Sequence, residues 1–112
     1  MPNVTQFTRS VGGYETATAG TTQTQAGATQ LAGFINYVTT GTAGDGVRLP
    51  AGIAAGDVVY IVNSSNASLN VYPNTGGAIN NGSANAAKAL AANMSGTYIS
   101  LGNENWGAVL SA

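Results

Sequence analysis

From Leu31 onward the apolar residues of this chain fall into short runs, and Gly, Asn, Pro or Ser closes each one. Runs of about four to eight residues between turn signals leave no room for a long amphipathic helix and suit β-strands instead. The pattern predicts strands over residues 34–39, 46–49, 57–63, 69–72, 97–101 and 106–110. Residues 57–63 give the strongest signal. There Val58, Val59, Tyr60, Ile61 and Val62 place β-branched or aromatic side chains on both faces, which predicts a central strand covered on both sides. The expected fold is all-β: a β-sandwich or jelly-roll-like barrel of short antiparallel strands with an extended N-terminal arm.

Turn chemistry punctuates these strands. Asn63 to Asn66 separates two runs, Pro73 to Gly77 is rich in turn formers, and Asn81-Gly82 can adopt the positive φ of a tight turn. Gly102 to Asn105 is expected to join the last two strands as a hairpin. Residues 85–93 are alanine-rich, so propensity favours one or two helical turns, while their position between strands favours a strand-and-loop passage.

The chain divides near Gln30. Residues 1–30 read as an N-terminal arm or edge strand, and residues 31–112 as a β-sandwich domain. Before Gln30 the bulky apolar residues are Met1, Val4, Phe7, Val11 and Tyr14, followed by the low-complexity run ATAGTTQTQAGATQ. So little apolar surface suits a free coil, yet alternating Thr16, Thr18, Thr22 and Thr24 would also suit a docked edge strand.

Chemistry is limited by what the chain lacks. It contains no histidine and no cysteine, the side chains most used for nucleophilic, acid-base and zinc chemistry. An enzyme is therefore not expected, nor a cofactor or metal site. Four carboxylates, Glu15, Asp45, Asp57 and Glu104, are the remaining acid-base candidates, and turns, the arm and a strand start account for all of them. Arg9, Arg48 and Lys88 are the only cations and are scattered, which argues against nucleic acid and against anionic membranes. No stretch approaches the ~20 apolar residues of a membrane helix, and no secretory signal is visible. Trp106 with Tyr98, Tyr72 and Tyr60 could stack on sugar rings, or Trp106 could fill the core.

Charged residues make up 6% of the chain, against about 25% in ordinary globular proteins, so Thr, Ser, Asn, Gln and Gly must build the surface. A neutral surface gives little colloidal repulsion, and the expectation is that an assembled particle covers much of it.

The block from GVRLPAGIAAGDVVYIVN through SLNVYPNTGGAIN to TYISLGNENWGAVL resembles small virion proteins of tailed bacteriophages, namely head decoration (cement) proteins and related tail-fibre modules. The shared features are Leu49-Pro50, Gly56-Asp57 before an apolar strand, Asn63 closing it, Val71-Tyr72-Pro73, Ile79-Asn80 and the late Trp106. The resemblance implies a structural subunit, made in the host cytoplasm, that sits on the outer surface of an icosahedral capsid. Its partners would be the major capsid protein and itself, as a homotrimer. Val4, Phe7 and Arg9 would then let the arm add a strand to a neighbouring subunit. A tail-fibre or receptor-binding module and a small carbohydrate-binding domain are the alternatives.

Overall fold

In a computed structural model, which describes residues 13–111, the chain forms nine strands and no helix among the described residues. They are β1 (Tyr14–Thr18), β2 (Thr29–Gln30), β3 (Ile35–Thr40), β4 (Gly46–Arg48), β5 (Val58–Asn63), β6 (Leu69–Tyr72), β7 (Lys88–Leu90), β8 (Ser95–Gly102) and β9 (Asn105–Leu110). Two mixed sheets result, one of five strands in the order β1-β3-β5-β8-β9 and one of four in the order β2-β4-β6-β7.

The first six strands alternate strictly between the sheets, so odd-numbered strands stack in one and even-numbered strands in the other. Parallel neighbours need a crossover of a dozen or more residues, which is usually a helix. Here the strand of the opposite sheet serves, so the chain winds as a flattened coil. The pairings β1–β3, β3–β5, β2–β4 and β4–β6 are all parallel. The remaining three, β5–β8, β6–β7 and β8–β9, are antiparallel.

The all-β expectation holds, and the expectation of antiparallel strands is corrected for four of the seven pairings. Apolar alternation reports which face of a strand is buried but not the direction of its neighbour. Direction is set by the connections, and residues 19–34 and 41–57 each travel through the other sheet before returning.

The core fills the space between the sheets. In β5, Val59 and Ile61 point inward, as do Val38 from β3, Tyr98 from β8 and Trp106 from β9. Opposite them stand Val47, Leu69, Val71 and Leu90 of the four-stranded sheet, each fully buried. The central strand β5 occupies the third of five places, but the described residues cover only one of its faces. Val58 and Val62 on the outward side are half-buried and Tyr60 is exposed, so cover on both sides, expected from its composition, is not supplied by the described residues.

Local signals read from the sequence recur with shifts. The β8–β9 hairpin turns at Asn103 and Glu104, both with positive φ (55° and 65°), as a two-residue loop that matches the strand twist requires. The turn near Asn81-Gly82 places its positive φ at Asn80 and Asn81, one residue earlier than Gly82. Residues 85–93 form turns around β7 rather than a helix.

Within residues 1–30, β1 and β2 are the edge strands of the two sheets. Between them, the segment 20–28 lies over the outer side of the four-stranded sheet. Gly20 bridges Gly46, Gln25 Nε2 donates to the Pro73 carbonyl (2.7 Å), and Arg48 Nη1 donates to the Gln25 carbonyl (3.3 Å). Val4, Phe7 and Arg9, the residues expected to contact a partner, lie outside the described residues.

Candidate interaction face

The carboxylates serve backbone geometry. Asp45 is buried, and its Oδ2 accepts from both the amide and the hydroxyl of Thr42 (3.0 Å each), while Oδ1 accepts from Gln23 Nε2 (3.3 Å). The Thr42 amide is the main reason that its carboxyl titrates below the ordinary aspartate value; burial opposes the shift, and the Gln23 and Thr42 side chains reinforce it. Glu104 Oε2 accepts from the Gly52 amide (3.0 Å), and Glu15 Oε2 from the Ala32 amide (3.3 Å). Asp57 opens β5, its amide bonded to the Ala54 carbonyl and its own carbonyl accepting from Ser100. No group of three or more Asp or Glu side chains converges as metal ligands would among the described residues.

The aromatic side chains divide by face. Trp106 and Tyr98 lie in the core at 1% and 0% exposure, and Tyr72 is buried as well. Burial raises the Tyr98 hydroxyl well above its ordinary titration range. A sugar ring cannot reach Trp106, Tyr98 or Tyr72, so the four aromatics do not share a surface; only Tyr60 is exposed.

What the surface does present is an apolar sheet face. Among the described residues six large hydrophobic side chains are exposed: Tyr14 (64%), Ile35 (43%), Tyr60 (45%), Ile99 (37%), Leu101 (59%) and Val109 (67%). All six stand on the outward side of the five-stranded sheet. Register aligns them across the strands: Tyr14 pairs with Ile35, Ile35 with Tyr60, Tyr60 with Thr97, and Thr97 with Val109. One row therefore crosses all five strands, interrupted only by Thr97. Ile99 and Leu101 continue along β8, the longest strand.

The face carries no charge. Glu15, the one ionisable acid or base within these five strands, falls on the inward side of β1, in the row Glu15, Asn36, Ile61. The outward positions between the apolar side chains hold Thr, Ser, Gly, Asn and the half-buried Tyr37. By contrast, the outer side of the four-stranded sheet carries Arg48 and Asn70 and is tied down by polar contacts with residues 20–28.

The edges of the five-stranded sheet are treated differently from its face. Along β9, Trp106 donates to the Ala78 carbonyl (2.9 Å) and accepts from the Asn80 amide (2.8 Å). The Asn80 side chain continues this contact, its Oδ1 accepting from the Ala108 amide (2.8 Å) and its Nδ2 donating to the Ala108 carbonyl (3.3 Å). A side-chain amide thus stands in for a missing strand and closes that edge to further pairing.

The apolar face was partly legible in the sequence, because Val58 to Val62 are apolar at every position and Ile99 and Leu101 recur at period two. The missing step was knowing that none of the other described residues lies over them. Comparison with protein-family models, with curated proteins and with solved structures finds no match for the chain.

Proposed function

We infer that the chain is a structural subunit without catalytic activity, a decoration (cement) protein on the outside of a tailed-phage head that stabilises contacts between major capsid subunits. Its two sheets act as the halves of a β-sandwich that holds the outer face of the five-stranded sheet flat and available. The observation that carries this reading is that face: six exposed large hydrophobics on one uncharged sheet surface. The largest apolar patch on a monomeric protein is itself only about 300–600 Å² and is often a functional surface. A chain with only 6% charged residues adds to this, because it offers little repulsion between copies and little electrostatic handle for a charged ligand. The resemblance of residues 46–110 to phage decoration proteins supplies the virion setting.

The carbohydrate-binding alternative loses its support with the burial of Trp106 and Tyr98. The head and tail readings separate by number. Quantitative mass spectrometry of purified particles should find copies of this protein comparable to those of the major shell protein. A few copies per particle would move it to the tail, and absence from particles would end the virion reading.

A further inference from the structure

The face needs an occupant, and its chemistry narrows the choice. We propose that the outer face of the five-stranded sheet is covered by a second copy of the same chain, packed sheet on sheet. The proposal rests on the structural reading above, in that the face is taken as a contact surface, and it names the partner.

The first support is electrostatic. Among the described residues no Asp, Glu, Lys or Arg occupies an outward position on β1, β3, β5, β8 or β9. Recognition of a different protein usually draws on opposite charges to steer and select. A face with no charge has no sign to match, and it opposes a copy of itself without repulsion. Its hydroxyls, on Thr16, Thr39 and Thr97, both donate and accept and can therefore satisfy one another across a symmetric contact.

Size is the second. Five strands about 4.8 Å apart and roughly 20 Å long make a face of ~24 by ~20 Å, or ~480 Å² in plan. Side-chain relief raises the accessible area above the plan area, toward the ~800 Å² per partner of a standard interface. The whole sheet face is thus the size that one stable contact needs, and two twisted sheets pack well when their strands run within about 30° of each other.

Geometry is the third. In a two-fold pair whose axis runs along the central strand β5, Tyr60 meets its own mate while Tyr14 of one copy lies over Val109 of the other. Apolar positions then meet apolar positions across the row. Edge pairing does not compete at β9, because Ala78 to Asn80 already occupy that edge.

The test is the mass of the purified full-length chain in solution, by light scattering and sedimentation at about 10–100 µM, a range in which interfaces of this size associate. The wild-type chain should run above its 11.1 kDa monomer mass. Tyr60→Lys, at the centre of the face, and Val109→Lys, on its border, should each weaken association at least tenfold. Ala89→Lys, on an exposed position of the four-stranded sheet, should leave it unchanged. Circular dichroism and thermal unfolding establish that each variant is folded. Val109 is two-thirds exposed, so a lysine there tests the contact even if Tyr60→Lys misfolds. A monomer throughout this range would overturn the proposal and pass the face to the shell protein or to residues 1–12. An oligomer indifferent to both face variants would overturn it equally. A monomer that still coats purified shells would sink self-pairing while leaving the decoration reading intact; an oligomer absent from particles would do the reverse.

Discussion

Asn63 is the residue whose replacement should damage this fold most for the smallest change in shape. It closes β5 with its side chain at 0% exposure. Its Nδ2 lies 2.7 Å from the Ala67 carbonyl and 3.1 Å from those of Leu90 and Ala91, while Oδ1 accepts from the amide (3.0 Å) and hydroxyl (2.7 Å) of Ser65. One amide therefore ties the corner after β5 to the end of β7, joining the two sheets. Asn63→Asp preserves the outline and replaces the donor by oxygen. In its ionised form the carboxylate would keep the two Ser65 donors on one oxygen but press the other against three carbonyl oxygens, a buried, poorly paired charge that costs up to ~3–5 kcal/mol. When protonated it donates once and loses roughly one hydrogen bond, about 1–2 kcal/mol. The folded state therefore raises the pKa of the introduced acid above its unfolded value of about 3.9. With a raised pKa the unfolded chain releases its proton first, so the variant loses stability as pH climbs through that value and the loss levels off above the folded pKa. Urea unfolding followed by the buried Trp106 should show a deficit against wild type of ~1–2 kcal/mol at pH 3 that grows to ~3–5 kcal/mol at pH 7. For a domain with ~5–15 kcal/mol in total, the larger figure approaches unfolding. A deficit below about 1 kcal/mol at pH 7, or one independent of pH, would show that the Asn63 amide does not hold the two sheets together.

Two further outcomes follow from local geometry. Asp45→Asn should flatten the acid limb of the stability profile. Because the folded state lowers the Asp45 pKa, the wild-type carboxylate contributes stability above the unfolded pKa and loses it as pH falls through the folded value; thermal unfolding between pH 2 and about 6 compares the two chains. Gly77→Ala should be strongly destabilising, since the new methyl would meet the Glu104 carbonyl oxygen, whereas Gly107→Ala meets nothing within 4 Å and should shift the melting temperature little. Equal melting temperatures for the two would contradict the packing of the 73–78 turn against the β8–β9 hairpin.

The sequence carried the elements but not their wiring. All six strands predicted after Gln30 form within a residue or two at either end, because period-two burial and Gly or Asn punctuation act locally. The run 46–49 forms as Gly46–Arg48, with Leu49 still in the core. The three-residue strand β7 sits in the alanine-rich stretch, where propensity and context pointed to different structures. Parallel pairing was hidden for a different reason. Rungs of the coil share position, not residue type: Ala17, Val38 and Asn63 occupy one inward column, and Tyr14, Ile35 and Tyr60 one outward column. No repeat survives at the level of letters. The candidate site was half visible, since apolar residues at outward positions of β5 and β8 can be counted, while their exposure depends on the path of segments outside the strands, residues 20–28 among them. That segment crosses the other sheet.

The same asymmetry bears on why the surface is so poor in charge. A free monomer with this apolar face and a net charge of -1 would have little to keep copies apart, since colloidal stability in small domains comes from net charges of about 2–8. Edge pairing is the route by which such sheets grow without limit, and at β9 it is closed by Asn80. Face-to-face contact, in contrast, ends with one partner when it is isologous, because the surface that attracts is consumed in the contact. Closing an edge while leaving a neutral apolar face open therefore biases association toward a finite complex and away from a fibre. A variant that reopens the edge, Asn80→Ala, should make the chain more prone to aggregate than Tyr60→Lys, which removes the face but leaves the edge sealed. Turbidity of the two variants at equal concentration reads that order, and greater aggregation by Tyr60→Lys would mean that the face, not the edge, had been holding the protein in solution.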